Sequence, residues 1–170
     1  MKVLLDEATI AARVRELGAA IAADYGGARD LVLVGIMRGA VCFLADLMRA
    51  IDLPLRVGTL DVRSYHGTAG GQPSVQGDVP GGLAGADVIV VEDIIDRGLT
   101  LDAVVTSLRW ERPGSIAVCA LLRKPGSCSA KWLTGVKYVG FEIEDEFVVG
   151  YGLDYEQRWR NLRYVAVWEE

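Results

Sequence analysis

The stretch Val88-Ile-Val-Val-Glu-Asp-Ile-Ile-Asp-Arg-Gly-Leu-Thr100 decides how this chain is read. Val88 to Val91 is a β-branched run of the kind that forms a strand buried on both faces. It delivers two adjacent carboxylates, Glu92 and Asp93, and a third follows at Asp96. Arg97, Gly98, Leu99 and Thr100 then make a short turn that opens a helix. A strand that ends in acids and turns into a helix N-terminus suits a sugar phosphate. The acids hold hydroxyls, and the free amides of the turn hold phosphate oxygens.

Strand and helix patterns alternate on either side of this stretch. Ile10, Val14, Leu17 and Ile21 recur at helical spacing and predict a helix over 6–25, stopped by Gly26-Gly27. Leu31 to Ile36 reads as a buried strand. Residues 40–50 read as a helix with Val41, Leu44, Ala45 and Met48 inward. Strands follow over 55–63, 87–92 and 115–122. A helix over 100–110 puts Leu101, Val104, Val105 and Leu108 on one face. Shorter apolar pieces lie at 138–141, 146–149 and 163–168. Such alternation predicts an α/β fold with a mostly parallel sheet covered on both faces. Ligands of such sheets bind beyond the C-terminal strand ends. Arg38, Glu92, Asp93 and Lys124 all fall just past predicted strand ends, so unlike residues gather on one edge.

Residues 64–86 differ in kind, with seven glycines and two prolines in 23 residues. A loop that long inside a compact domain is either a surface insertion or a closing lid. Ser64 and Tyr65 at its base favour the lid, since a hydroxyl and an aromatic ring would meet a polyanion on closure. His66 reads as a solvated loop residue.

The 170 residues carry a net charge of −5, which leaves no basic footprint for nucleic acid. No apolar run approaches the roughly 20 residues of a membrane span. The N-terminus lacks the apolar stretch of a signal peptide, so the expected location is the cytoplasm. The three cysteines form no CxxC pair, and the single histidine argues against a His-rich metal site. Cys42 and Cys119 sit in apolar patterns and are expected to be buried thiols, whereas Cys128 falls in a polar loop and is expected to be exposed.

Val88 to Thr100 resembles the signature of the type I phosphoribosyltransferases. Within that family the chain is similar to the hypoxanthine-guanine branch. Val34-Gly-Ile-Met-Arg-Gly-Ala40, Arg63-Ser-Tyr65, Leu121-Leu-Arg-Lys-Pro125 and the run from Val139 to Tyr155 carry the likeness, which covers residues 3–168. The resemblance implies one domain over 1–170. Its core spans about 26–124, its lid loop about 64–86, and its small hood 125–170 with part of the N-terminus. It implies transfer of a phosphoribosyl group from phosphoribosyl pyrophosphate to N9 of a 6-oxopurine in purine salvage, with Mg2+ as cofactor. A homo-oligomer, dimer or tetramer, is implied as well, with no nucleic-acid or membrane partner.

By the same resemblance each residue acquires a role. Arg97, Gly98, Leu99 and Thr100, with Asp96, form the cradle for the 5′-phosphate. Asp96 is the general acid/base at purine N7. Glu92 and Asp93 hold the ribose hydroxyls, directly or through Mg2+-bound water. Arg38, Gly39, Ser64, Tyr65 and Arg160 bind pyrophosphate, and a cis peptide is implied at Met37–Arg38. Lys124 donates to the purine 6-oxo group, Phe147 stacks on the ring, and Val148 offers backbone groups to its edge. Asp154 coordinates Mg2+ beside the purine site. A 6-amino group would set donor against donor at Lys124, which favours oxopurines.

Several positions depart from the family pattern. Arg97 and Leu99 stand where it more often has Thr or Ser and Lys or Asn. Glu144 replaces a common Pro, and the stretch from Lys124 to Phe147 is slightly long. Two alternatives stay open on these residues: a xanthine-preferring enzyme, and a non-catalytic nucleotide sensor on the same fold.

Overall fold

The computed structural model describes residues 1–63 and 74–169. The chain starts with β1 (Lys2–Leu5) and α1 (Glu7–Tyr25), whose first turn is capped by Asp6 Oδ1 accepting from Thr9 N at 2.7 Å. β2 (Leu31–Met37), α2 (Val41–Ala50), β3 (Arg56–Arg63) and β4 (Ser74–Asp78) follow. Next come β5 (Asp87–Ile95), α3 (Leu99–Trp110), β6 (Ser115–Arg123), α4 (Ala130–Gly135) and β7 (Tyr138–Glu142). The C-terminal segment adds β8 (Val148–Val149) and β9 (Val165–Val167).

Six strands form one sheet in the order β4-β3-β2-β5-β6-β7, parallel throughout except for antiparallel β4 at the edge. Apolar side chains alternate to its two faces. Leu33, Ile89 and Val91 pack with Ile10, Val14 and Phe43 under α1 and α2. Val34, Val88 and Val90 pack with Leu101, Val104 and Leu108 under α3. A second sheet, β1-β9-β8, joins the two ends of the chain through Lys2↔Val167 and Val148↔Val167. This is the expected α/β architecture with a small hood.

Four local expectations are corrected. α2 buries Phe43, Leu44 and Leu47 and leaves Val41 and Met48 outward, because the stripe through Phe43 hides the larger side chains against the sheet. The expected loop over 64–86 is shorter, since Ser74–Asp78 pairs with β3 through Val62↔Val75 and Leu60↔Gly77. Leu83 is also buried. Ser64, Tyr65 and His66 lie outside the described residues. β5 runs to Ile95 instead of stopping at 92, because β6 keeps pairing with it to Ile95↔Arg123. Cys128 is partly buried against the α3 side of the sheet instead of exposed, and Cys42 is only partly buried. All three cysteines are free thiols. No helix is long and apolar enough to cross a membrane among the described residues.

α1 and α2 cross at Gly18. A Cβ there would fall 2.5 Å from Ala50 O and 2.7 Å from Ala50 Cβ. Alanine normally favours a helix over glycine by about 1 kcal/mol. Here overpacking, typically about 1–3 kcal/mol, opposes that gain. Gly18→Ala is expected to lower the Tm by about 2–8 °C without changing the site chemistry, as measured by calorimetry beside an activity assay.

Candidate active site

The continuation of β5 past Val91 sets the site. Glu92 pairs in register with Ala120 and Ile94 with Leu122, so both carboxylates sit inside the strand and not beyond it. Glu92 is only 5% exposed, and Asp93 is partly buried. Burial pushes the Glu92 carboxyl well above its usual range, and the Asp93 charge beside it adds to the effect. Burial raises Asp93 too, against hydrogen bonds from Glu92 and from Ile94 N at 2.8 Å and the pull of Arg160. Two acids this close share a proton more readily than they ionise together.

Glycine lets Asp93 take its place. A Cβ on Gly39 would stand 1.7 Å from Asp93 Oδ2. The loop after β2 therefore closes over the carboxylate only with glycine at this position. Gly152 does the same from the C-terminal segment: at φ 103°, its Cβ would lie 2.1 Å from Gly39 O. The Met37–Arg38 peptide is cis, and Arg38 itself is exposed.

After Ile95 the chain turns outward. Asp96, Arg97, Leu99 and Thr100 are exposed, and Gly98 takes the left-handed conformation at φ 84°. Gly98 is the N-cap of α3, and no side chain caps that end. The first amides of a helix have no intrahelical partner, and the helix dipole there favours an anion. The loop and Glu92 line a cavity of about 200 Å³. A second cavity, about 230 Å³, is lined by Met37, Gly39, Asp93, Asp154 and Arg160, and it shares Glu92 and Thr100 with the first. Two polar hollows thus meet at one carboxylate and one hydroxyl.

Asp154 and Arg160 face each other across the C-terminal segment, with Nη2 to Oδ1 at 2.6 Å. Gln157 N donates to Asp154 Oδ2 at 2.9 Å, and Arg160 Nη1 donates to Gly152 O at 2.7 Å. Lys124, Phe147 and Val148 lie outside both hollows. Lys124 follows β6, is only 9% exposed, and donates to Asp145 Oδ1 at 3.0 Å. Phe147 is half exposed and Val148 is buried.

Sequence reading missed what backs these groups. The Phe147 ring meets Tyr155 edge-on at 5.8 Å, and Tyr155 stacks on Trp168 at 4.7 Å. Trp168 N also donates to Phe147 O at 2.8 Å. The aromatics at 155 and 168 were a visible signal, but their convergence depends on the hood sheet. Asp145, partner of Lys124, stood within the quoted Val139–Tyr155 run without a role. A cleft of about 620 Å³ lies between α1, α2 and the C-terminal segment and is mostly apolar. It contains Arg160 but none of the other expected site residues.

Glu92, Asp93 and Asp154 around one hollow offer the hard oxygen ligands that Mg2+ takes. Among the described residues, no three acidic, His or Cys side chains form a metal-binding group by themselves. One or two of these carboxylates would suit Mg2+, which usually takes few protein ligands and keeps several waters.

The buried acid pair carries a stability consequence. Between the ordinary carboxyl pKa of 4.5 and its raised native value, Glu92 keeps a proton that the unfolded chain has lost. The native state then binds more protons, so this group's contribution to stability falls as pH rises through that window. Glu92→Gln mimics the protonated form. Its metal-free Tm is expected to match wild type below about pH 4.5 and to exceed it, by a few degrees, increasingly as pH rises above that, as measured by melting in chelator across pH.

Known proteins share this fold and much of this sequence. The family model for the phosphoribosyl transferase domain matches residues 2–156. The hypoxanthine-guanine phosphoribosyltransferase of Mycobacterium avium is 42% identical, with 96% of this chain and 83% of that protein covered. The hypoxanthine phosphoribosyltransferase of Haemophilus influenzae is also 42% identical, over 96% of this chain and 93% of its own. The crystal structure of a Staphylococcus aureus hypoxanthine phosphoribosyltransferase superposes with a TM-score of 0.90 at 40% identity, covering 99% of this chain and 91% of that one. A strand that carries its acids into an uncapped helix, with a hood closing over them, thus places this chain in the phosphoribosyltransferase family.

Proposed function

We propose that the protein is a purine-salvage phosphoribosyltransferase that transfers the 5-phosphoribosyl group of phosphoribosyl pyrophosphate to N9 of hypoxanthine or guanine, releasing pyrophosphate. The observation that carries this reading is the pair of hollows sharing Glu92 and Thr100. One is walled by helix amides and suits the 5′-phosphate. The other is walled by Gly39, Asp154 and Arg160 and suits pyrophosphate. The shared carboxylate stands where the ribose hydroxyls would lie. The named relatives in Mycobacterium avium and Haemophilus influenzae support the same substrates.

As pyrophosphate departs, positive charge builds on the ribose ring, as in the oxocarbenium-like transition states of glycoside hydrolysis. Buried Glu92 and partly buried Asp93 hold the hydroxyls and oppose that charge. Arg160 and exposed Arg38 stabilise the leaving pyrophosphate. Asp154, Glu92 or Asp93 would hold Mg2+, which would supply further neutralisation of the leaving group's charge. Asp96 reaches up from the loop to hold the proton at purine N7. Lys124 donates to the 6-oxo oxygen, Phe147 covers the ring, and Val148 offers main-chain groups to its edge. Arg97 and Leu99 contribute through their amides. Ser64 and Tyr65, outside the described residues, are assigned to pyrophosphate binding. The chain acts as one domain in the cytoplasm, assembled as a homo-oligomer.

Asp96→Asn keeps the loop's shape and removes the acid. It is expected to lower kcat by about 10²-fold or more, with phosphoribosyl pyrophosphate binding changed far less. A spectrophotometric assay with hypoxanthine beside equilibrium binding tests this, and an unchanged kcat removes Asp96 from its role. Lys124→Gln supplies an acceptor as well as a donor. It is expected to narrow the kcat/KM gap between hypoxanthine and adenine by about tenfold or more, and wild-type turnover of adenine alone would contradict the role given to Lys124.

A further inference from the structure

The stretch between Lys124 and β7, which sequence patterns leave without an element, folds in part as α4. Six residues do not make a helix that stands alone. What fixes α4 is Trp132, only 4% exposed and packed in the same apolar layer as Leu101 and Val104 of α3. The edge of its indole lies directly against Gly98. A Cβ built on Gly98 would fall 2.2 Å from Trp132 Cδ1, 2.9 Å from Nε1 and 3.0 Å from Cγ.

Two more links tie this segment to the site. Lys131 Nζ pairs with Asp102 in the first turn of α3 and lies 4.5 Å from the Trp132 ring centroid. Arg123 Nη1, at the end of β6, donates to Leu133 O at 2.6 Å. α4 is therefore anchored to the strand beside the acid-bearing one and to the helix that opens the phosphate loop. Trp132 Nε1 has no hydrogen-bond partner among the described residues. The ring is held by packing, at the cost of an unpaired donor.

Gly98 is the most permissive residue of the loop, yet its left-handed conformation decides where the first amides of α3 point. Glycine by itself gives no preference for that shape; a surface pressed against it does. We propose that Trp132 is a positioning residue for the sugar 5′-phosphate: its ring walls in Gly98, restricts the loop to one arrangement, and so aims the α3 amides at the phosphate before it binds. This rests on the phosphoribosyltransferase reading above and adds to it a residue outside the loop and outside both hollows. Preorganisation of this kind acts on the affinity for ligands that carry the phosphate.

The test compares ligands that differ in that group. Phosphoribosyl pyrophosphate and inorganic pyrophosphate, each with Mg2+, are titrated calorimetrically into wild type, Trp132→Ala and Trp132→Phe, with melting curves in parallel. Trp132→Ala is expected to weaken phosphoribosyl pyrophosphate about tenfold while inorganic pyrophosphate and the KM for hypoxanthine stay within about twofold. Trp132→Phe keeps a flat ring beside Gly98 while removing the unpaired N–H and part of the indole's volume, so it should recover much of the affinity. If the alanine protein melts below the assay temperature, Trp132→Leu, which fills more of the core than alanine without the flat ring, gives the same readout. Unchanged phosphoribosyl pyrophosphate affinity in a folded variant overturns the proposal, and so does equal weakening of both ligands. Wild type that binds phosphoribosyl pyrophosphate without converting hypoxanthine refutes the assigned reaction and leaves the role of Trp132 standing.

Discussion

The pairing of β5 with β6 past the last valine is the constraint on which the site depends. Had the ladder ended at Val91, Glu92 and Asp93 would be solvated acids on a loop. Because it continues to Ile95↔Arg123, they are carried into the sheet's edge, side by side and largely out of water. Desolvation then raises both, Glu92 most, and makes the pair costly for the empty protein. Such a cost is tolerable only beside groups that use it. Two polar hollows meet at Glu92, and they are where a polar ligand could replace the lost water.

Everything that meets that pair does so by close backbone approach. Gly39 admits Asp93, and Gly152 admits Gly39, so the core loop and the C-terminal segment nest without side chains between them. Arg160 follows from the same contact, since its guanidinium is held to Gly152 O and Asp154 while its charge bears on Asp93. The hood is thus coupled to the acids by geometry as much as by charge. Its own ends are tied by the β1-β9-β8 sheet, which draws Trp168 beneath Tyr155 and sets the angle of Phe147.

The sheet and the acid-bearing loop were legible because their signals are local. Val88 to Val91 announces a buried strand, Leu101 to Leu108 a helix face, and the order of the two places Asp96 to Thr100 between them. The end of β5 was misread for a physical reason: two carboxylates look like a stop, and only the partner strand β6 decides otherwise. α2 offered two apolar stripes, and the sheet chose the one with Phe43. β4 was hidden by its glycine, and α4 by its shortness. The contacts of Gly39 and Gly152 join residues 54 and 113 positions apart, and those of Tyr155 depend on a sheet of three short strands. No periodicity encodes such contacts.

The misread segment is also the one with most bearing on how the loop keeps its shape. A phosphate cradle built on glycine has an intrinsic weakness, since the residue that permits the tight turn equally permits many others. A β-branched or polar residue at position 98 would remove that freedom, but the left-handed φ of 84° and the nearness of Trp132 exclude any side chain there. Rigidity has to be imposed from outside, by a surface already fixed elsewhere. α4 meets that requirement because it is held at Arg123 and Asp102, on the strand and the helix that flank the loop. The acids are thus set by the strand ladder and the first turn of α3 by a wall, two independent means that act on the two ends of one loop.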